Sequence, residues 1–158
     1  MKAIFFTLVC VFIAGGLSSA QNLYEKNGLT YDSNDQLLDG KYYTEYDNGM
    51  VKEEFNYSKG LKHGEYFSYY ENGNRMEQGK YINGQKDGRW TRKNIDGIKL
   101  GEIVYNNGLR HDKWQIWDDT GMLRCIMFYT HGEKVGTWKM YDEKGMLLAE
   151  ETYSNQHN

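Results

Sequence analysis

Glycines and aromatic residues recur at a constant step of 24 residues over most of this chain. Two glycine series and one tyrosine series keep the step without insertion or deletion: Gly49, Gly73, Gly97, Gly121 and Gly145; Gly60, Gly84, Gly108 and Gly132; Tyr57, Tyr81, Tyr105, Tyr129 and Tyr153. Self-similarity at this period predicts an array of supersecondary units. Function is therefore expected on a surface that several units build together.

Each 24-residue unit is predicted to contain two strands and two turns. In residues 64–87, a tyrosine-rich run ends at Asn72-Gly73 and a second run ends at Asn83-Gly84. Asn-Gly between two strand-like runs indicates a type I′ hairpin, because both central residues need positive φ. Helix is disfavoured, since no run keeps a 3.6-residue apolar period without a glycine. The prediction is all-β: an elongated single-layer antiparallel meander of tandem β-hairpin repeats.

The first 20 residues have the composition of a secretory signal peptide. Lys2 precedes an apolar run, residues 3–14, and small residues follow up to Ala20, where cleavage is expected. A transmembrane anchor is disfavoured, because it needs roughly 18 or more continuous apolar residues. The protein is therefore expected to be exported, to a periplasmic, envelope-associated or secreted location.

The rest of the chain divides by how well it keeps the repeat. Residues 21–39 are predicted to be a degenerate N-terminal capping unit, residues 40–153 five repeats, and residues 154–158 a frayed tail. Apolar residues on both faces of the fourth unit predict that burial increases toward the C-terminus. The segment from Trp114 to Tyr129, which is more apolar than the repeat requires, is the predicted location of function.

Another glycine series precedes a column of large aromatics. Two residues after each of Gly40, Gly64, Gly88, Asp112 and Gly136 stand, in order, Tyr42, Tyr66, Trp90, Trp114 and Trp138. Equivalent residues of neighbouring units form ladders across a sheet. We expect these aromatics to form a continuous spine, and the tyrosine series from Tyr57 to Tyr153 to form a second column.

Charge and cysteine content limit the classes of partner. The formal net charge is −3, and loss of Lys2 with the signal peptide would make it −4. A nucleic-acid ligand is not expected for such a chain, and an anionic lipid surface would attract it little. After Ala20 only Cys125 remains, so no intrachain disulfide is expected.

The residues offer no recognisable catalytic, cofactor or metal site. His63 and His111 occupy the same repeat position two units apart, about 19 Å by strand spacing, which is too far to share a metal. No serine lies in a nucleophile-elbow sequence. The expectation is a non-enzymatic protein without a cofactor or a metal.

Two sets of residues are candidates for contact with a partner. One is a row of basic residues after the second turn, which could bind an anionic partner or could be solvated turn residues: Lys62, Lys86, Arg110 and Lys134. The other is aromatic, and these side chains could bind a partner or could be the core of a thin fold: Tyr69, Trp114, Trp117, Phe128 and Tyr129.

Two segments in particular resemble MORN-repeat-variant units: Gly-Glu-Tyr-Phe-Ser-Tyr-Tyr-Glu-Asn-Gly at 64–73 and Gly-Thr-Trp-Lys-Met-Tyr-Asp-Glu-Lys-Gly at 136–145. The resemblance extends over residues 40–153, and such arrays occur in YwqK-like antitoxins. It implies a single-layered sheet of hairpins that serves protein or lipid interaction. Asp112 in place of glycine, and Lys93 with Asn94 in place of aromatics, depart from the pattern.

Two functions remain open from the sequence. The first is an exported protein-protein interaction module or scaffold, and the second is a binder of envelope glycan or lipid head groups through its aromatic ladder. The antitoxin or immunity role that the resemblance implies would require a toxin outside the cytosol, because of the signal peptide.

Overall fold

The chain folds into a long antiparallel sheet. The computed structural model describes residues 18–19 and 23–154, and over these residues it contains strands and no helix. The strands are Ser18–Ser19 (β1), Tyr24–Lys26 (β2), Leu29–Tyr31 (β3), Gly40–Glu45 (β4), Val51–Ser58 (β5), Leu61–Tyr69 (β6), Arg75–Ile82 (β7), Gln85–Lys93 (β8), Lys99–Asn106 (β9), Leu109–Arg110 (β10), Asp112–Trp117 (β11), Leu123–Thr130 (β12), Glu133–Tyr141 (β13) and Leu147–Tyr153 (β14).

Strands β4 to β14 follow one another in chain order across the sheet. Each pairs antiparallel with the next, and the short β10 pairs with β9 beside β11. Strand β1 adds to the outer edge of β4 in parallel, while β2 and β3 form a separate hairpin. The predicted all-β meander of hairpin repeats is therefore confirmed. The apolar run of the predicted signal peptide and the tail after Ser154 lie outside the described residues.

Two kinds of turn connect the strands. The short turns have positive φ at both central residues, as a type I′ turn requires, for example 49° at Asn83 and 82° at Gly84. The long turns span residues 46–50, 70–74, 94–98, 118–122 and 142–146. In each, the glycine N–H donates to the carbonyl of the first residue, and the first N–H donates to the carbonyl of the fifth.

The prediction of type I′ turns is wrong for the long turns. Glycine alone has positive φ there, as with Gly49 at 80° and Gly73 at 83°, and the preceding Asn48 and Asn72 do not. Five residues connect the strands, so only the fourth, which follows a β-turn as in a type I hairpin with a bulge, has to adopt the left-handed conformation.

The short turns of successive units are hydrogen bonded to each other. The N–H of Gly84 donates to the carbonyl of Lys62 at 2.7 Å, and the N–H of Gly132 donates in the same way to Arg110 at 2.7 Å. Gly60 and Gly108 make the same bond, to Leu38 and Lys86. The 24-residue step is thus maintained at one edge of the sheet by backbone hydrogen bonds between units.

A bulge in the first strand of each unit explains the remaining glycine series. Phe55 is paired with Tyr66 and Tyr57 with Lys62, so three residues, 63–65, lie opposite the single residue Asn56. Gly64 within the bulge has φ of 97°. Asp112 occupies the equivalent place in the fourth unit with φ of 57°, so the backbone pattern continues without the glycine.

Replacing Asp112 by glycine is expected to stabilise the protein by about 1 kcal/mol, because glycine adopts positive φ without the cost that a Cβ imposes. Urea denaturation of the variant would measure the change. Asp112→Ala is the control, and it should be no more stable than the parent protein. A loss of stability in Asp112→Gly would show that the aspartate side chain contributes more than the strained backbone costs.

Five of the seven buried apolar residues form one cluster in the N-terminal segment and the first three units. They are Leu38, Phe55, Tyr57, Tyr66 and Trp90, with Leu38 and Trp90 only 1% exposed, and Leu23 packs against them. The other two, Trp114 and Tyr129, belong to the fourth unit. The predicted increase of burial is confirmed for β12, which has no exposed residue against three in β7, but it is wrong for β14, where six of seven residues are exposed. The N-terminal segment packs onto the first units, whereas β14 pairs with no strand other than β13 among the described residues.

Candidate interaction surface

One face of the sheet, here called the aromatic face, carries a column of aromatic rings in T-shaped or tilted contact. From the second unit onward the contacts alternate between the two predicted series, with centroid distances of 5.1 Å for Tyr81–Trp90, 5.4 Å for Tyr105–Trp114 and 5.1 Å for Tyr129–Trp138. The predicted spine is confirmed, but the two expected columns interleave into one. Each ring contributes buried apolar area to a sheet that no helix covers within residues 18–19 and 23–154.

Trp90 is the deepest ring of the column, and Gly79 makes its position possible. A Cβ placed on Gly79 would lie 2.2 Å from Trp90 Cδ2, so the indole rests directly on the strand backbone. Trp114 and Trp138 donate Nε1–H to the carbonyls of Val104 and Phe128, at 2.9 and 3.0 Å. The buried Nε1 of Trp90 has no hydrogen-bond partner among the described residues. Trp90 thus packs directly on the backbone at Gly79 but lacks the Nε1–H hydrogen bond that Trp114 and Trp138 make.

The basic row covers the rings of this column. Lys86 Nζ lies 3.8 Å from the centroid of Trp90, Lys134 Nζ 4.5 Å from Trp138, and Arg110 Cζ 5.0 Å from Trp114. Lys62 lies between Phe55 and Tyr81, at 5.3 and 5.4 Å. These are cation–π geometries. The cations of the row are therefore directed to aromatic rings of their own chain.

Burial and nearby carboxylates alter the tyrosines of the column. Burial raises the pKa of Tyr81 to about 12, and the charge of Glu77 adds to the effect. Burial likewise raises the pKa of Tyr66, whose hydroxyl donates to Glu53 Oε1 at 2.7 Å. The pKa of Tyr105 is also raised, first by burial. The folded state therefore favours the neutral phenols.

Stability is expected to fall as the pH rises from 10 toward 12. Because the pKa of Tyr81 lies above its unfolded value of 10.0, its contribution is complete below pH 10 and decreases as the unfolded phenol ionises. Urea denaturation across this range would measure the slope, and Tyr81→Phe should reduce it. Phenol absorbance that titrates entirely near pH 10 in the folded protein would contradict the expectation.

The aromatic candidates from the sequence are divided between the two faces. Trp114 and Tyr129 are buried in the column, 8% and 4% exposed, so they offer a partner little surface. Tyr69 and Phe128 lie on the opposite face, Trp117 lies at the end of β11, and all three are half-buried. Lys99 Nζ covers Trp117 at 4.2 Å, and the Tyr69 hydroxyl donates to Glu54 at 3.0 Å. The structure does not bring the nine candidates together at one site.

A groove of about 430 Å³ lies on the aromatic face over Gly101. Glu53, Glu77, Cys125 and Ala149 hold the position of Gly101 in the other units, so only the third unit lacks a side chain there. A Cβ on Gly101 would have no neighbour closer than 3.8 Å. Trp90, Ile103 and Ile116 are the apolar groups of the lining, which extends on to Trp117.

Arg92 is the free cation of this groove. It is exposed and stands directly opposite both Gly101 and Glu77 in the sheet, yet its side chain makes no ion pair or hydrogen bond with any described residue. Two of the three acids in the lining are engaged elsewhere: Glu77 Oε1 lies 3.7 Å from Lys86 Nζ, and Asp118 Oδ2 lies 3.6 Å from Arg124 Nε. The third, Asp119, is exposed and forms no ion pair with Arg92. The Thr120 hydroxyl, followed by backbone N–H groups, lowers the pKa of Asp118.

A second hollow extends the groove toward the first unit. It has a volume of about 250 Å³, shares Glu77 and Arg92 with the first, and reaches Tyr46 and Lys52. Another hollow of about 430 Å³ lies around Asn56; seven of its twelve lining residues are polar or charged, and three are aromatic. The Gly101 groove has five large apolar residues in its lining beside the unpaired Arg92, and this difference favours it as a binding site.

Reasoning from the sequence missed this groove, although two signals were present. Gly101 interrupts its repeat column with the smallest residue, and Arg92 stands where Thr44, Ser68, Ile116 and Met140 stand in the other units. Both departures lie in the third unit, whereas the prediction placed the functional segment from Trp114 to Tyr129.

Metal-binding groups and membrane-spanning helices were both sought among the described residues. Across residues 18–19 and 23–154, no three His, Cys, Asp or Glu side chains are grouped so that they could hold a metal ion. Over the same residues, the chain forms no helix with the length and hydropathy needed to cross a membrane.

Three segments of the chain match the MORN repeat variant: residues 38–59, 62–83 and 134–155. Their starts are separated by whole multiples of 24 residues. They cover less of the chain than the resemblance over residues 40–153 indicated, and the unit that contains Arg92 and Gly101 lies outside them. MORN repeats commonly serve as binding or interaction modules. A search of curated proteins found no match.

Proposed function

We propose that the protein is a non-enzymatic, exported interaction module that binds another protein in the Gly101 groove. The observation that carries the proposal is the absence of a side chain at Gly101, beside apolar groups and the unpaired Arg92. An apolar side chain of a partner would occupy the space over Gly101, and an acidic group would pair with Arg92. The sequence of residues 1–20 supports export.

The aromatic column supports glycan binding less well. Ring faces that could stack on a sugar are already in contact with neighbouring rings and with cations, as Trp90 is with Tyr81 and Lys86. Protein binding in the groove needs no rearrangement of these contacts. An antitoxin or immunity role would be one form of the proposed function, with an exported toxin as the partner.

Gly101→Leu is expected to weaken partner binding at least tenfold, because the new side chain occupies the groove. Position 101 has no positive φ, and the nearest atoms leave room for a Cβ, so the variant should fold. Affinity capture from the native compartment, followed by titration with the recovered partner, would measure the loss.

Ala149→Leu is the matched control, since it makes a larger side chain at the same repeat position in the last unit. It should retain the partner, and Arg92→Glu should lose it through charge reversal. Glucan or peptidoglycan fragments, added in large excess over the protein, should leave its tryptophan fluorescence unchanged. If Gly101→Leu and Ala149→Leu bind a stoichiometric partner equally well, the groove is not the binding site.

A further inference from the structure

One contact between units repeats along the long-turn edge of the sheet. In three of the four steps between units, the residue after a long-turn glycine packs on the glycine of the next long turn. Met50 Cε lies 3.1 Å from the position that a Cβ would take on Gly73, and Ile98 Cγ2 lies 3.3 Å from the same position on Gly121. Met122 Sδ approaches Gly145 at 3.8 Å. In the remaining step Asn74 Nδ2 donates to the carbonyl of Ile95, and Gly97 has no atom within 4 Å of its Cβ position.

Each end of the array carries one half of this contact. Met146, the residue that would pack on the next glycine, is 65% exposed, and Leu147 and Leu148 beside it are 52% and 67% exposed. At the other end, no atom lies within 4 Å of a Cβ position on Gly49; this is also true of Gly97, so the open glycine leaves room for the contact but does not by itself mark an end. Arg124 and Leu100 hold the position of Leu148 in the two preceding units, and both are half-buried. The last unit therefore presents an apolar edge of the kind that a further unit covers in the interior.

The ring column shows the same complementarity. Tyr129 in the interior contacts Trp114 on one side and Trp138 on the other, at 5.0 and 5.1 Å. At the C-terminal end, Tyr153 contacts only Trp138 among the rings of the described residues, and at the first unit Tyr42 contacts only Tyr57.

We propose that β14 of one copy pairs antiparallel with β4 of a second copy, which continues the 24-residue lattice from chain to chain. Met146 would cover Gly49 of the next copy, and Tyr153 would meet its Tyr42. The register follows from the preceding unit, where Ile126 is paired with Lys139, and it places Glu150 opposite Tyr43. This assembly goes beyond the binding proposed for the Gly101 groove.

The edge of β4 itself is occupied only weakly in the single chain. Strand β1 pairs with it through two residues, Ser18 with Tyr42 and Ser19 with Tyr43, and in parallel. The residues just before β4 are already paired with β3, since the N–H of Leu38 donates to the carbonyl of Thr30. The incoming β14 therefore offers residues 147–151 to β4, and cleavage after Ala20 would remove β1 altogether. Such a contact joins different surfaces of the two copies, so it builds open chains of protomers rather than a closed dimer.

The alternative of two β14 strands in contact is disfavoured by charge. It would bring Glu150 and Glu151 of both copies together across one antiparallel pair, and like charges opposite each other are destabilising. A second copy presenting β4 avoids this, since Glu150 then faces a tyrosine.

Cysteine cross-linking tests the proposed register. Purified Glu150→Cys and Tyr43→Cys proteins are mixed under mild oxidation, with the parent protein as the background for its own cysteines. Head-to-tail pairing predicts a disulfide-linked pair in the mixture and a ladder of higher oligomers from the double variant. Efficient dimerisation of Glu150→Cys alone would overturn the proposal in favour of paired β14 strands.

A charge at the apolar edge tests the same contact without a cross-link. Leu148→Lys is expected to raise the apparent dissociation constant at least tenfold in analytical ultracentrifugation. Ile95→Lys is the control, because Ile95 is 48% exposed in a long turn away from the ends. A parent protein that remains monomeric at every concentration, or equal effects of the two lysines, would overturn the proposal.

Discussion

Replacing Gly79 by alanine is expected to lower the free energy of unfolding by about 3 kcal/mol, as overpacking of a filled core does. The new Cβ would lie 2.2 Å from Trp90 Cδ2, and a ring that is 1% exposed between Tyr66 and Tyr81 cannot move without breaking other contacts. Urea denaturation monitored by tryptophan fluorescence would measure the loss and report any change in the environment of Trp90.

A double-mutant cycle identifies the cause. Trp90→Ala alone should cost about 3 to 5 kcal/mol. In that background Gly79→Ala should cost only a few tenths of a kcal/mol, because no ring remains for the Cβ to meet. Gly101→Ala is the matched control: it also lies inside a strand, but its Cβ would meet nothing closer than 3.8 Å. Equal costs at positions 79 and 101 would mean that Trp90 does not rest on the strand.

Trp114→Ala is expected to cost about 3 to 5 kcal/mol, more than Trp117→Ala outside the column. Trp114 is 8% exposed, packs between Tyr105 and Tyr129, and donates its Nε1–H to a backbone carbonyl. Its loss would leave a cavity in the column and also a buried acceptor without its donor.

Trp117→Ala provides the comparison for the same change of residue type. Trp117 is half-buried beneath Lys99 and belongs to no ring stack, so we expect a cost of about 1 to 2 kcal/mol. Thermal melts of the two variants would give the order. If Trp114→Ala melts within a degree of the parent protein, the column is not what stabilises the sheet.

The fold follows from local sequence signals that repeat. Type I′ turns at pairs such as Asn83-Gly84 are short-range features, and five-fold repetition made the meander predictable. The long turns were predicted as turns but with the wrong geometry. Asn72-Gly73 in a long turn has the same sequence as Asn83-Gly84 in a short turn, and the number of residues that link the strands decides the turn type.

The candidate site could not be predicted, because it depends on which side chains meet across units. That Lys86 lies over Trp90 becomes visible only once the bulge at Gly88 sets their register. The burial gradient failed at the two ends for a similar reason: Leu38 reaches the first units through the N-terminal segment, which lies outside the regular repeat, and β14 is exposed.

Positions at which the residue type departs from the repeat say more about function than positions at which it stays constant. Constant positions such as Gly84 are explained by turns and hydrogen bonds between units. Gly79 and Gly101 both interrupt their columns, but one is filled by Trp90 and the other leaves a groove. Only the packing around each glycine distinguishes these outcomes.

The most direct test of the proposed function is to map the bound partner on the sheet by NMR. Amide chemical shifts of the isotope-labelled protein are compared before and after saturation with the protein recovered by affinity capture. Binding in the groove predicts that the largest changes lie at Arg92, Gly101 and Ile116. Changes confined to the opposite face, around Tyr69 and Phe128, would contradict the proposal that the Gly101 groove is the binding site.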